Sequence, residues 1–474
     1  MNRYFIEGEG RREFPKRSYA RIDYIEPADL ENASDVLFAF DAVDAQWQGF
    51  SPGYPFALDG DGERILAYWR RRFGGGGAPT RVAFEVEPFD DLPLFQIEFT
   101  LARTHPWTQA LIDLRDAWVE LELSREGTIE VDVYGGLFDA ALPARMSDIS
   151  RVASKAALLS QVFDMDAWPD ASEDELVAAL DRTCVIEQLV AFDIGQGSAN
   201  ALVCTCGMPA YYYDVGCGVY RNARTRPPAI QLCVCDTPPV ILSHWDSDHW
   251  AAAPIDKDLL KMTWIAPRQR IGPKHATFAT TILNAGGRIL IVPSSLPTIS
   301  WGTSQRFELR RCTGRASDRN ASGLALIVED PASTRGWLLT GDAAYHHIPA
   351  PLPADLAAIV VPHHGADMGA SSVPPTRSTH AYSRLLYSFG PGNAHGATSV
   401  QHPTWPAVNA HVNASWPHAP WTPPPGFVRA AHPVLATASH AATHLDGAAA
   451  GWTAPPRAPL HLSTCRKAMP VTQT

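Results

Sequence analysis

A strand that ends in two imidazoles and two carboxylates leaves a chain few ways to fold. Val240-Ile241-Leu242-Ser243 is apolar, and His244, Asp246, Asp248 and His249 follow within six positions. Alternate residues leaving a strand point the same way, so His244, Asp246 and Asp248 converge while the turn brings His249 alongside. Two aspartates buried this close without a cation raise each other's pKa or force the loop open. A divalent metal ion removes the conflict. Two more apolar strands end in the same fashion: Gly336-Trp337-Leu338-Leu339-Thr340-Gly341 presents Asp342, a carboxylate suited to bridging two ions, and Leu356-Ala357-Ala358-Ile359-Val360-Val361-Pro362 presents His363 and His364. Three strands ending in ligands make a site, with either His363 or His364 as the third strand's donor. The small residues Ala251-Ala252-Ala253 after the run predict a helix start.

At 474 residues the chain exceeds one ordinary domain and predicts two. Residues 1–185 read as an α+β accessory domain without a catalytic constellation. Within it, Arg81 to Val86 and Thr128 to Val133 alternate apolar and polar positions like half-buried strands. Trp107 to Leu123 reads as a helix running into a strand, and Ser172-Glu173-Asp174-Glu175 as a capped helix start. From Val185 the pattern changes to short apolar strands between Gly and Asp turns, which predicts a layered α/β core over 186–430. Residues 431–474, rich in Pro, Ala and His, are expected to be partly irregular, with a last edge strand at Phe427 to Ala431 just before them.

No apolar run reaches the roughly 20 residues of a membrane span, and the amino terminus lacks a signal-peptide core, so a cytoplasmic protein without a membrane partner is expected. Eight cysteines form two C-x-C pairs and no C-x-x-C, which in a reducing compartment predicts mostly buried, reduced thiols. The net charge of −11 opposes non-specific attraction to a nucleic-acid backbone. Basic residues nevertheless gather in three stretches: Arg221, Arg224 and Arg226; Arg268, Arg270 and Lys274; and Arg306, Arg310, Arg311, Arg315 and Arg319. They are either solvated faces or a rim that draws phosphates toward an acidic metal site.

Over residues 186–412 the motifs resemble the metallo-β-lactamase superfamily, most nearly the hydrolase domain of ComEC-type competence proteins. The resemblance runs from Phe192-Asp193-Ile194-Gly195-Gln196-Gly197-Ser198 through Tyr213-Asp214-Val215-Gly216, the H-x-D-x-D-H run, Asn320-Ala321-Ser322 and Leu339-Thr340-Gly341-Asp342. It continues in Pro362-His363-His364-Gly365 and closes on Ser388-Phe389-Gly390-Pro391-Gly392-Asn393 followed by Gln401-His402-Pro403. It implies an αββα sandwich behind the separate amino-terminal domain. Ser198 stands where the family has a second Asp, and the family's membrane channel region is missing, so DNA uptake is not implied. Asp246 stands where the wider superfamily usually has His, as in the ComEC branch. His275 follows the run too closely to be the histidine that an intermediate strand often supplies.

Ligand chemistry then divides the site. Asp248, His249 and His363 or His364, with Asp342 bridging, suit zinc or manganese, whereas His244, Asp246 and Asp342 form a weaker, harder half-site where manganese or magnesium fits. Two divalent ions roughly 3.5 to 4 Å apart would activate water as the nucleophile. Asp248 is then expected to orient that water and His402 to contact the scissile group or protonate the leaving oxygen. Asn320, Ser322 and Asn393 are candidate substrate or loop contacts, and Asp193 and Asp214 structural carboxylates near the site. The expected activity is a phosphodiesterase or nuclease acting on DNA or another nucleic acid. The alternatives are a hydrolase of a small ester, thioester or peptide-like bond, or a partner-binding component of a bacterial multi-protein system, such as a defence system, docked through residues 1–185.

Overall fold

The structure, a computed structural model, describes residues 1–26, 34–60, 62–74, 87–395, 400–419, 421, 432–440, 443–445 and 447–456. The expected strands at Arg81 to Val86 and Phe427 to Ala431 lie outside them. The described chain is mixed α/β, mostly sheet with few helices, and divides into two units: Met1–Pro169 with Arg270–Gly286, and Asp170–Gln269 with Gly287–Thr474. The division precedes the boundary expected near 185 because Ala171, Leu176 and Leu180 are buried in the core of the second unit. The helix that carries them, Glu173–Leu180, opens with a capping box between Ser172 and Glu175, as its sequence predicts.

The first unit is a closed six-stranded barrel. Its strands are β1 (Arg17–Glu26), β2 (Asp35–Asp44), β3 (Leu94–Ala102), β4 (Val119–Ser124), β5 (Ile129–Tyr134) and β6 (Leu142–Arg151). They pair antiparallel in the order β1-β2-β3-β5-β6-β4 and back to β1. The expected helix-to-strand run from Trp107 is the helix Pro106–Asp113 followed by β4. Period-two alternation puts Val36, Phe38, Phe40, Phe95, Ile97 and Phe99 into one apolar cluster. It leaves Asp23, Asp41 and Gln96 on the other face, where the helix Pro273–Asn284 covers them. Lys274 there pairs with Asp23 and donates to Gln96 Oε1 at 3.0 Å, and the Lys274 backbone amide bonds Asp41. His275 Nδ1 lies 3.2 Å from the Asp41 carboxylate. These two residues are therefore buried anchors of a helix: Lys274 is not part of a basic rim.

The second unit holds two seven-stranded mixed sheets. The first has β7 (Ile186–Ala191), β8 (Ala199–Cys204), β9 (Pro209–Val215), β10 (Val240–Ile241), β11 (Thr263–Pro267) and β12 (Arg288–Val292) in the order β12-β11-β10-β9-β8-β7, closed at the edge by Ala448–Ala450. The second runs in sequence order through β13 (Thr298–Trp301), β14 (Arg306–Arg311), β15 (Leu324–Asp330), β16 (Arg335–Leu339), β17 (Leu356–Val360), β18 (Arg384–Tyr387) and β19 (Val434–Ala436). Leu189, Leu202, Tyr213 and Ile241 of the one and Leu326, Trp337, Leu339 and Val360 of the other share a single core. The helix Trp405–Asn413 packs Val408 into a further cluster with Ile327, Leu338 and Ile359.

Two sequence expectations change here, and the expected partly irregular carboxy-terminal segment gains short strands. The carboxy-terminal segment contributes edge strands to both sheets, and Trp452 stacks on Trp337 at 3.7 Å. Ala251-Ala252-Ala253 forms turns rather than a helix start, because the Ala252 amide bonds the Val215 carbonyl at 3.0 Å. Cys184 and Cys204 are disulfide-bonded instead of reduced: the β7–β8 register sets Ile186 opposite Cys204, and Cys184 stands two residues earlier.

Candidate metal centre

β10 is only two residues long, but parallel pairing with β9 and β11 fixes where it ends. Ser243 and His244 leave that end beside Asp214, which leaves the end of β9. Asp214 accepts the Ser243 amide at 2.7 Å and the Ser243 hydroxyl at 2.9 Å, and its Oδ2 lies 2.8 Å from His249 Nδ1. Ser243 Oγ also lies 2.9 Å from His244 Nδ1. With both Nδ1 atoms held from behind, both Nε2 atoms face forward, the orientation that a carboxylate or hydroxyl behind a ligating imidazole enforces. The approach is tight: a Cβ on Gly216 would stand 1.6 Å from the Asp248 carbonyl oxygen, so only glycine lets these loops meet.

Asp342 completes the cluster from the end of β16. Its Oδ1 lies 3.1 Å from His249 Nε2, and its Oδ2 lies 3.7 Å from His244 Nε2, 3.7 Å from His363 Nε2 and 3.9 Å from His364 Nε2. His363 and His364 leave β17 with φ of 48° and 56°, a left-handed pair without glycine. Such residues cost about 1–3 kcal/mol each, and the strain aims both imidazoles at one carboxylate. His364 is held from both sides: Nδ1 bonds the Ser388 carbonyl at 3.0 Å, and Nε2 lies 3.2 Å from Asp248 Oδ2.

His244, His249 and Asp342 are at most 3% exposed, and His244 Nε2, His249 Nε2 and Asp342 Oδ1 make no hydrogen bond. Buried polar atoms are almost always satisfied, so three unsatisfied ones converging on one point mark a place that a cation fits. Within the second unit two triads have their donor atoms within 4.8 Å of one another: His244, His249 and Asp342, and Asp248, His249 and His364. Nitrogen and carboxylate oxygen donors of this kind fit a divalent metal ion.

The charges follow the geometry. Burial opposes ionisation of Asp342, but His249, His363, His364 and His244 outweigh it and hold the carboxyl well below its usual range. Burial likewise opposes protonation of His249, and Asp342, Asp214 and Asp248 outweigh it, raising that imidazole well above its ordinary value. Asp246 has an ion-pair partner as well. Its Oδ1 is paired with the Arg319 guanidinium, while its Oδ2 lies 3.5 Å from His244 Nε2.

The remaining expected residues surround this cluster. His402 is buried, with its ring 5.6 Å from that of His363 and stacked at 3.8 Å on His395. Asn393 grips the His402 backbone, donating to its carbonyl and accepting its amide, both at 2.8 Å. The Ser322 hydroxyl donates to the Asp318 carbonyl and accepts from Gln269, which makes it a brace of the turn before β15; Asn320 lies half-buried in that turn. Asp193 pairs with His444 at 2.7 Å, apart from the metal-ligand triads. Sequence reasoning did not single out Ser243, Gln196, Gln269 or His395, and it placed Arg319 in a surface stretch although that side chain is buried.

Most of the arginine stretches are internally neutralised. Arg268 pairs with Asp170, Arg270 with Asp116, and Arg306 and Arg310 with Glu308, while Arg311 donates to backbone carbonyls. Arg221, Arg224 and Arg226 differ in place: they lie in and after the turn Tyr220–Thr225, whose Asn222 exchanges hydrogen bonds with the Ala394 backbone, next to His395.

Among the described residues no helix is long and apolar enough to cross a membrane. No protein-family model matches the chain, and no curated protein matches it in sequence. Among solved structures it is similar to Zn2+-bound PqqB from Methylobacterium extorquens, at 12% identity over 41% of this chain and 67% of that chain, with a TM-score of 0.25. A likeness at that score carries no argument about fold or chemistry.

Proposed function

We propose that the chain is a divalent-metal-dependent hydrolase acting on a phosphodiester, with His244, His249, Asp342, Asp248 and His364 as the donor set. The observation that carries this reading is the convergence of buried, unsatisfied Nε2 and carboxylate atoms from three strand ends. His364 is preferred to His363 as the third strand's ligand, because the Ser388 carbonyl fixes its ring. A bound divalent ion of this class lowers the pKa of water and stabilises charge on a phosphoryl oxygen.

The chain's own residues supply orientation and protons. Asp248 is the least buried of the cluster's carboxylates and is turned by His364, which suits it to hold a water proton at Oδ2. Gln196 receives the Gly390 amide on Oε1 at 3.2 Å, so its NH2 faces His402 Nδ1 at 3.5 Å. Nδ1 of His402 is then an acceptor, and the ring proton sits on Nε2, from which it would donate a hydrogen bond to a leaving oxygen. Burial, with His395 and His363 nearby, pushes the His402 imidazole well below its usual value and keeps it neutral.

The arginines around Arg224, beside the loop that carries His395, support a phosphate over an uncharged substrate. A carboxylic ester is the second reading, favoured by the pairing of the other arginine stretches with acids. Single- and double-stranded DNA, RNA, bis(p-nitrophenyl) phosphate and p-nitrophenyl acetate, each assayed with manganese or zinc, separate the two. Phosphodiester cleavage lost in Asp342→Ala supports the proposal; turnover of the acetate alone favours the second reading, and full activity under strong chelation overturns both.

A further inference from the structure

We infer that Arg319 replaces a second cation: its guanidinium neutralises Asp246, and the centre holds one divalent ion per chain rather than a bridged pair. This rests on the reading of the cluster as a metal centre. Two observations carry it. The Arg319 side chain is 6% exposed, an unusual burial for a guanidinium, and it pairs with Asp246 Oδ1. Its position is built: Gln269 donates to the Arg319 carbonyl at 2.7 Å and to Ser322 Oγ at 2.8 Å, and Ser322 closes the turn on the Asp318 carbonyl. A fixed positive charge on one oxygen of Asp246 repels a divalent ion at the other.

The second observation is a count of lone pairs. Both donor triads of the second unit include His249, and a neutral imidazole has one acceptor nitrogen. Nδ1 of His249 is already engaged by Asp214, so two ions held by these triads would need the same lone pair. The half-site expected from His244, Asp246 and Asp342 thus lacks a free carboxylate at Asp246 and shares its bridging oxygens with four imidazoles.

Metal content of the whole chain, loaded with manganese and dialysed, tests this by elemental analysis and by electron paramagnetic resonance. We expect one ion per chain and the six-line signal of isolated Mn2+. Asp246→Asn should leave that count at one, because Asp246 serves Arg319 and not the ion; Arg319→Ala should raise it toward two and broaden the signal into that of a coupled pair. Two ions in the unaltered chain, or a fall from two to one in Asp246→Asn, overturns the inference, as does a folded Arg319→Ala that still holds one. A count of zero overturns instead the reading of the cluster as a metal centre. If Arg319→Ala fails to fold, the unaltered chain and Asp246→Asn decide the question.

Discussion

At Asp342 four imidazoles compete for two oxygens, and that crowding makes the residue the centre's most sensitive position. Asp342→Asn keeps the shape and removes the charge. It should lower metal content below half an ion per chain and cut turnover on the order of a thousandfold, as loss of a charge that organises a reacting centre does. His402→Gln should instead leave metal content unchanged and lower kcat, with the loss greatest for substrates whose leaving group is a poor one. Equal losses for good and poor leaving groups would remove His402 from proton donation. His249 sets the proton balance of binding. In the ion-free protein its imidazole is raised well above the ordinary value, so it carries a proton near neutral pH that an ion must displace from Nε2. Affinity should fall as pH falls, and titration calorimetry in buffers of different ionisation enthalpy should show net proton release at pH 7. A binding heat that does not depend on the buffer would contradict this.

Within single elements the sequence was readable wherever a local rule decided the outcome. Ser172 caps its helix with Glu175, β5 alternates as its residues require, and two of the three ligand-bearing strands, β16 and β17, end just before a glycine or proline. It was not readable where a distant partner decided. Nothing near Lys274 announces that its ammonium is buried against Asp23, 251 residues away, or that Ala252 gives its amide to Val215. The helix Trp405–Asn413 adds a pH dependence of this long-range kind. His411 sits between the Tyr345 and Tyr387 hydroxyls, both at 3.0 Å, and burial lowers it to about 4. Between pH 4 and about 6.5 the unfolded chain takes up a proton that the folded chain refuses, so stability drops as pH falls through that window. The full effect is roughly 3 kcal/mol for this one group. His411→Gln, which keeps a polar side chain without titrating, should flatten the pH dependence of the urea midpoint between pH 7 and 4.5. Parallel profiles for the two proteins would show that His411 does not govern it.

Over the whole molecule, the motifs at Asp214, His244, Asp342 and His363 were legible because each stands at the end of a strand, and pairing within each of the two sheets sets neighbouring strand ends side by side. The exchange between halves of the sequence was not: Arg270–Gly286 belongs to the first unit although its neighbours on both sides belong to the second, and no composition change marks the excursion. The same global view predicts how metal acts on stability. Asp214, Asp246, Asp248 and Asp342 enter one largely buried cluster beside the buried Arg319 guanidinium, so the folded second unit gains more from a divalent cation than an unfolded chain with dispersed ligands does. An ion that binds only the folded form adds about 2.7 kcal/mol when its free concentration is a hundred times Kd. Denaturant unfolding with saturating manganese should therefore shift to higher urea than unfolding under chelation, and in Asp342→Asn the two curves should coincide. Lys274→Ala, which removes the buried ammonium paired with Asp23 in the first unit, should cost about 3–5 kcal/mol there. It should nevertheless retain the metal-dependent shift, because the donor set lies wholly in the second unit. Loss of that shift in Lys274→Ala, with the variant still folded, would mean that the centre draws its stability from the barrel rather than from its own strand ends.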